Sequence, residues 1–107
     1  ILLSFIRKRR PFQAIDFAAR YGGEEFIIML RKAGLKDEAE SVAERLRKKI
    51  EETKFEWEGV PIPVTVSLGV AALHPGENVP DPMVHRADAA LYRAKEAGKN
   101  RVCTEES

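Results

Sequence analysis

The sequence predicts an α/β (α+β) fold, a sheet with helices packed on its faces, and three observations carry that expectation. The run Phe26-Ile27-Ile28-Met29-Leu30 is apolar at every position, so the strand it forms is covered on both faces. Two longer stretches, Lys36 to Glu52 and Asp81 to Gly98, repeat apolar residues at helical spacing. Between them, Val64-Thr65-Val66-Ser67-Leu68-Gly69-Val70 alternates with the period of a strand.

Taken in order, the chain opens on apolar Ile1-Leu2-Leu3-Ser4-Phe5-Ile6, followed by the basic cluster Arg7-Lys8-Arg9-Arg10 and Pro11. This predicts the last turns of a helix, with cations placed favourably at its C-terminus. Ile15 to Arg20 and Phe26 to Leu30 then flank Tyr21-Gly22-Gly23-Glu24-Glu25. Adjacent glycines between two strand-like runs predict a β-hairpin, because a tight turn needs the positive φ that glycine adopts without a Cβ clash. In the helix from Lys36 to Glu52, Ala39, Val42, Ala43, Leu46 and Ile50 form the core face, and Asp37 can cap the start. Phe55 to Gly59 and Val60 to Pro63 predict a small hairpin that its prolines confine to a sheet edge, with Trp57 as a packing residue. In the strand Val64 to Val70, the residues Val64, Val66, Leu68 and Val70 share one face. Asp81-Pro82 supplies an N-cap and a first-turn proline for the second helix, whose buried stripe is Met83, Ala87, Ala90, Leu91 and Ala94. Gly98 ends it, and Arg101 to Thr104 forms a closing strand.

A chain of 107 residues suits one domain and buries roughly 60% or more of its unfolded surface. It is 44% hydrophobic and 33% charged, with a net charge of +1, a balance that gives no general case for nucleic-acid or membrane binding. The single cysteine, Cys103, excludes an internal disulfide. No run is long and apolar enough to span a bilayer, and His74 and His85 stand without ligand-like spacing to cysteines or acids. Because the first residue is Ile1, the chain is expected to be a piece of a longer protein.

Chemistry concentrates at the glycine pair. Gly22 and Gly23 leave bare backbone that a ligand can approach, and Glu24 and Glu25 open the next strand on opposite faces. Carboxylates beside an exposed turn suit a hard cation such as Mg²⁺, which brings phosphates with it. A bare phosphate would be repelled, since like charges about 4 Å apart cost roughly 4 kcal/mol at an effective dielectric near 20. Residues alone leave a plainer reading open, a glycine hairpin with two solvated glutamates. Lys95 and Lys99, read from the residues alone, are cations that complement the dipole of the helix they end.

Arg20-Tyr21-Gly22-Gly23-Glu24-Glu25-Phe26 resembles the signature of the GGDEF family of diguanylate cyclases. Val64 to Val70 is similar to the family's V-T-x-S-x-G-V strand, and Ala87 to Arg101 to its closing motif A-D-x-A-L-Y-x-A-K-x-x-G-[RK]-N. The resemblance implies a palm-like sheet of the nucleotidyl-cyclase and ferredoxin-like kind. It implies condensation of two GTP into cyclic di-GMP with release of pyrophosphate, using Mg²⁺ or Mn²⁺. Glu24 and Glu25 would be catalytic and metal-binding, while Gly22, Gly23, Lys95 and Lys99 would contact GTP. An active homodimer would hold one GTP in each copy, in the cytoplasm, with any membrane or sensor attachment elsewhere in the protein.

The resemblance also marks departures. Residues 1–107 correspond to a single partial domain that lacks the family's first strand and part of its helices. A metal-binding aspartate and the guanine-recognising residues would be missing with them, so the fragment by itself is expected to be inactive. The family's inhibitory product site, R-x-x-D, is degenerate, with Gln13 at the arginine position, Asp16 at the aspartate and Arg45 as a helix arginine able to join it. Losing the charged, planar donor fork of arginine implies weak product inhibition. The alternative function is a nucleotide-binding regulatory or dimerisation module without turnover.

Overall fold

The computed structural model describes residues 2–5, 17–22, 25–30 and 36–105. Its elements are β1 (Leu2–Phe5), β2 (Phe17–Gly22), β3 (Glu25–Leu30), α1 (Lys36–Glu52), β4 (Phe55–Trp57), β5 (Val60–Ile62), β6 (Leu68–Ala72), α2 (Asp81–Glu96) and β7 (Val102–Thr104). A five-stranded sheet runs in the order β2-β3-β1-β6-β7, and β4 pairs with β5 in a separate ribbon. Within the sheet, β3, β1, β6 and β7 are mutually parallel, and β2 is antiparallel to β3. The mixed α/β class is therefore as expected.

Strand β6 is the axis of the core. Its alternating side chains serve two helices: Leu68 and Val70 pack with Ala39 and Ala43 of α1, and Ala71 packs with Met83, Ala87 and Leu91 of α2. The neighbouring pair Ile28 and Ile27 of β3 divides between the same two clusters. Each fully buried Leu, Val or Met here contributes roughly 1.5–3 kcal/mol of transfer free energy. The stripe Met83, Ala87, Ala90, Leu91 and Ala94 is the buried face of α2, as its spacing predicts. Its small residues matter because Gly69 lies beneath them. A Cβ on Gly69 would overlap the carbonyl oxygen of Ala87 and the backbone of Leu91. Helix and strand meet backbone to backbone at this point.

The structure corrects several expectations. Leu2–Phe5, expected as the end of a helix, is a strand between β3 and β6. Four residues, three of them apolar, are too few for periodicity to separate helix from strand, and here two parallel neighbours offer a ladder on each side. The alternating run from Val64 forms a strand only from Leu68. Leu68 pairs with Val102, the first residue of β7, so residues before Leu68 lie beyond the start of that neighbouring strand. Pro80, not Asp81, is the N-cap of α2, with no side-chain cap hydrogen bond. Helix α1 begins at Lys36, which puts Asp37 inside its first turn. The hairpin β4–β5 is not an edge of the main sheet. Phe55 faces Ile62 and Trp57 faces Val60, so all four share one side of the ribbon, and Trp57 is 68% exposed rather than packed.

A partly buried ionic cluster around Glu105 closes the edge where the parallel strands end. Arg86 of α2 donates to Glu105 Oε2 (2.7 Å), to both Glu77 carboxylate oxygens (2.8 Å each) and to the Ala72 carbonyl (2.7 Å). His74 Nε2 lies 2.8 Å from Glu105 Oε1, and the His74 amide donates to Glu77 Oε1 at 2.7 Å. His74 is thus not isolated; its partner is 31 residues away, where no local spacing could show it. Hydrogen bonds from Arg86 and from the His74 amide pull the Glu77 carboxyl down to about 2. Burial would raise the Glu105 carboxyl, but the bonds from His74 and Arg86 hold it below its ordinary value.

Two outcomes follow from this packing. Gly69→Ala lowers stability by about 1–3 kcal/mol, the typical cost of overpacking, read as a fall in the urea midpoint. An unchanged midpoint would show that α2 does not rest on β6 this closely. The Glu77 carboxyl sits at about 2 when folded against 4.5 ordinarily, so its contribution is complete above 4.5 and is lost as pH falls toward 2. Glu77→Gln is therefore less stable than the wild type at neutral pH, and the gap narrows as pH falls through that window. A gap of constant size would contradict the assignment.

Candidate functional site

The register of the sheet decides which sequence motifs share an edge. Glu25 opens β3, Leu2 of β1 pairs with Ile27 and with Gly69, and Leu68 of β6 pairs with Val102 of β7. All four parallel strands thus begin at one edge, and the hairpin joining β2 to β3 lies at that edge. Helix α2 ends there too, because only residues 97–101 separate it from the start of β7. Three strand spacings of roughly 4.8 Å put the starts of β3 and β7 about 14 Å apart, with α2 crossing β6 and β1 between them.

At the hairpin, β2 ends at Gly22, which pairs with Glu25, and the register slips between Arg20 and Gly22. That irregularity sharpens the local twist just before the turn. Gly22 is therefore a strand terminus and not a turn residue, and Glu25 is half-buried at the first position of β3. Gly23 and Glu24 lie outside the described residues, as do Gln13, Asp16 and the basic cluster Arg7 to Arg10. Among the described residues no group of three or more His, Cys, Asp or Glu could hold a metal. The donor chemistry nevertheless fits Mg²⁺, which is commonly held by one or two carboxylates, with phosphates and water completing the shell.

At the other end of the edge, Lys95 and Lys99 are both exposed. The helix finishes through bonds from the Ala97 amide to Arg93 O (2.9 Å), from Gly98 to Lys95 O (3.3 Å) and from Lys99 to Ala94 O (3.0 Å). Gly98 has φ 120°, Lys99 φ 64° and Asn100 φ 48°. The lysine and the asparagine are left-handed without being glycine, a conformation that costs on the order of 1–3 kcal/mol and persists only where neighbours over-determine it.

Those neighbours are present. Asn100 N donates to Ser67 Oγ (3.1 Å), Asn100 Nδ2 donates to Glu51 Oε2 (2.5 Å), and Arg47 Nη1 donates to Asn100 Oδ1 (3.0 Å). Arg47 also bonds Glu44 through Nη2 at 2.6 Å and Glu51 through Nη1 at 3.3 Å. The bond from Asn100 and then that from Arg47 hold the Glu51 carboxyl below its ordinary value, and Arg47 does the same for Glu44. Helix α1 is in this way tied to the turn carrying Lys99. Glu44, Arg47 and Glu51 stand at helical spacing, but the bonds that tie Arg47 and Glu51 to Asn100 join residues about 50 apart, which no local pattern shows. Arg45, on the same helix, is exposed in an open groove beside Glu40, Ser41, Glu44, Lys48 and Val102.

Comparison with known proteins bears on what this edge serves. The sequence model of the family described as "Diguanylate cyclase, GGDEF domain" matches residues 3–101. Diguanylate cyclase A of Treponema denticola is 47% identical over 87 residues, covering 81% of this chain and 23% of that protein. The GGDEF domain of DgcB from Caulobacter crescentus, solved in complex with c-di-GMP, superposes with a TM-score of 0.76 at 37% identity, over 85% of this chain and 52% of that one. The active GGEEF domain of a Vibrio cholerae diguanylate cyclase gives a TM-score of 0.72 at 35% identity, over 85% and 56%. The chain thus spans about half of each solved domain chain and about a quarter of the curated relative.

Proposed function

The chain belongs to the GGDEF family of diguanylate cyclase domains, and we propose that in its full-length protein it serves the condensation of two GTP molecules into cyclic di-GMP and pyrophosphate. The observation that supports this most is the shared edge. The Gly22–Glu25 hairpin and the C-terminal end of α2, with Lys95 in its last turn and Lys99 just after it, come from distant parts of the sequence, yet both stand where the parallel strands begin.

In this reading Gly22 and Gly23 let the nucleotide lie against bare backbone, a contact that any Cβ would hinder. Lys95 and Lys99 offset the charge of the triphosphate, each ammonium acting as a compact point charge on a flexible stem. Glu24 and Glu25 hold Mg²⁺ or Mn²⁺ in company with the phosphates. When bound, the metal supplies charge stabilisation to the reacting phosphoryl group. The rest of the work is positioning, as for phosphoryl transfer in general: a 3′-hydroxyl of one GTP is brought in line with the α-phosphate of the other. The product contains the same linkage twice, so two copies of the domain, each with one GTP, face each other as a homodimer. Cyclic di-GMP bound to the related Caulobacter domain supports the nature of the product. We place the domain in the cytoplasm, where GTP is available; among the described residues no helix is long and apolar enough to cross a membrane.

Replacing Glu24 by Gln in the full-length protein keeps the shape of the side chain and removes its charge. The expected result is loss of cyclic di-GMP synthesis by at least a hundredfold with the thermal midpoint unchanged, measured on purified protein with GTP and Mg²⁺. Turnover at the wild-type rate would overturn the proposed role of the hairpin acids.

A further inference from the structure

One left-handed residue is enough to end a helix, and Gly98 already provides it. Two more follow at Lys99 and Asn100, neither of which has the freedom of glycine. The chain holds them there with five groups: the Ala94 carbonyl on the Lys99 amide, Arg101 Nε on the Lys99 carbonyl, Ser67 Oγ on the Asn100 amide, and Glu51 and Arg47 on the two ends of the Asn100 side chain. Glu44 in turn fixes Arg47. The bonds surround the backbone of Lys99, while the lysine side chain itself is exposed.

From this arrangement we propose that Asn100, clamped by Arg47 and Glu51 of α1, is a positioning residue for Lys99, holding its backbone so that the ammonium group stays at the shared edge to meet a nucleotide phosphate. The inference rests on the reading of Lys99 as a phosphate contact. Asn100 acts on the ligand only through that lysine. A lysine on a free chain end carries the rotamer entropy of its whole stem, and its backbone freedom is added to it. The clamp removes the second part before the ligand arrives. Asparagine suits the task because it tolerates the left-handed region and offers a donor and an acceptor on one short side chain. A simple tie between α1 and β7 would need the hydrogen bonds but would have no dependence on what stands at position 99.

The test is calorimetric titration of the full-length protein with a non-hydrolysable GTP analogue and Mg²⁺. The variants are Lys99→Ala, Asn100→Gly, their double substitution, and Glu51→Gln. Asn100→Gly keeps the left-handed backbone accessible and so avoids a folding failure, while removing both side-chain bonds. Glu51→Gln keeps an acceptor for Asn100 and serves as the conservative control. The proposal predicts affinity about tenfold weaker in Lys99→Ala, several-fold weaker in Asn100→Gly, near wild type in Glu51→Gln, and a double variant no weaker than Lys99→Ala alone. If Lys99→Ala weakens binding and Asn100→Gly does not, the positioning role is wrong while the phosphate contact stands. If the two losses multiply in the double variant, Asn100 acts independently of Lys99 and the proposal falls. If Lys99→Ala binds like the wild type, the phosphate reading itself fails and the positioning role with it.

Discussion

The close approach of α2 to β6 over Gly69 is the constraint on which the rest of the structure depends. No side chain separates helix from strand at that point, because a Cβ on Gly69 would overlap the backbone at Ala87 and Leu91. Beside this contact, Ala71 of β6 packs with Met83, Ala87 and Leu91 of α2. A helix held this near its strand has little freedom to slide along it, since interiors are close-packed and respond to displacements of a methyl group. Its C-terminal turn is therefore delivered at a fixed place on the strand-initiation edge. A site assembled from a hairpin and a helix end requires that fixity.

The two polar clusters complement this packing at opposite edges. Arg86, Glu77, Glu105 and His74 close the edge where the parallel strands end, with Glu105 only 8% exposed and its charge met by Arg86. Arg47, Glu44, Glu51 and Asn100 gather at the other edge, at the turn that carries Lys99. Both clusters join an arginine on a helix to residues far away in sequence, and Arg is suited to this because its planar fork bonds several acceptors at once. Removing one member would leave the others poorly satisfied, which is where such networks lose most of their free energy.

Much of this was legible in the sequence, and the boundary is physical. Helix α1 runs over the span that its periodicity predicts, and the buried face of α2 is the predicted set, because a long amphipathic pattern reports directly on what it packs against. The pairing of β2 with β3 was legible because two strand-like runs flank a short glycine-containing connection, although Gly22 is the last residue of β2 rather than part of the turn. The short run Leu2–Phe5 was misread because its structure is decided by β3 and β6 beside it, not by its own residues. Likewise β6 starts opposite the first residue of β7, and Val64 to Ser67 keep an alternation that finds no partner in that strand. Trp57 shows the same limit from the other side: alternation with charged residues places it on one face of a ribbon, but only the tertiary structure shows that nothing in the described chain covers that face. The Asn100 clamp could not be read locally at all. Of the site, Gly22, Glu25, Lys95 and Lys99 are placed by the structure, while Gly23, Glu24, Gln13 and Asp16 lie outside the described residues.

The central claim is that the hairpin and the turn after α2 serve one ligand. Amide hydrogen exchange on the full-length protein, with and without GTP and Mg²⁺, tests it most directly. The account predicts that GTP slows exchange together in the segment around Gly22 to Glu25 and in the segment Lys95 to Asn100, at the same nucleotide concentration. Protection of one segment without the other, or of neither while GTP binds, would contradict it.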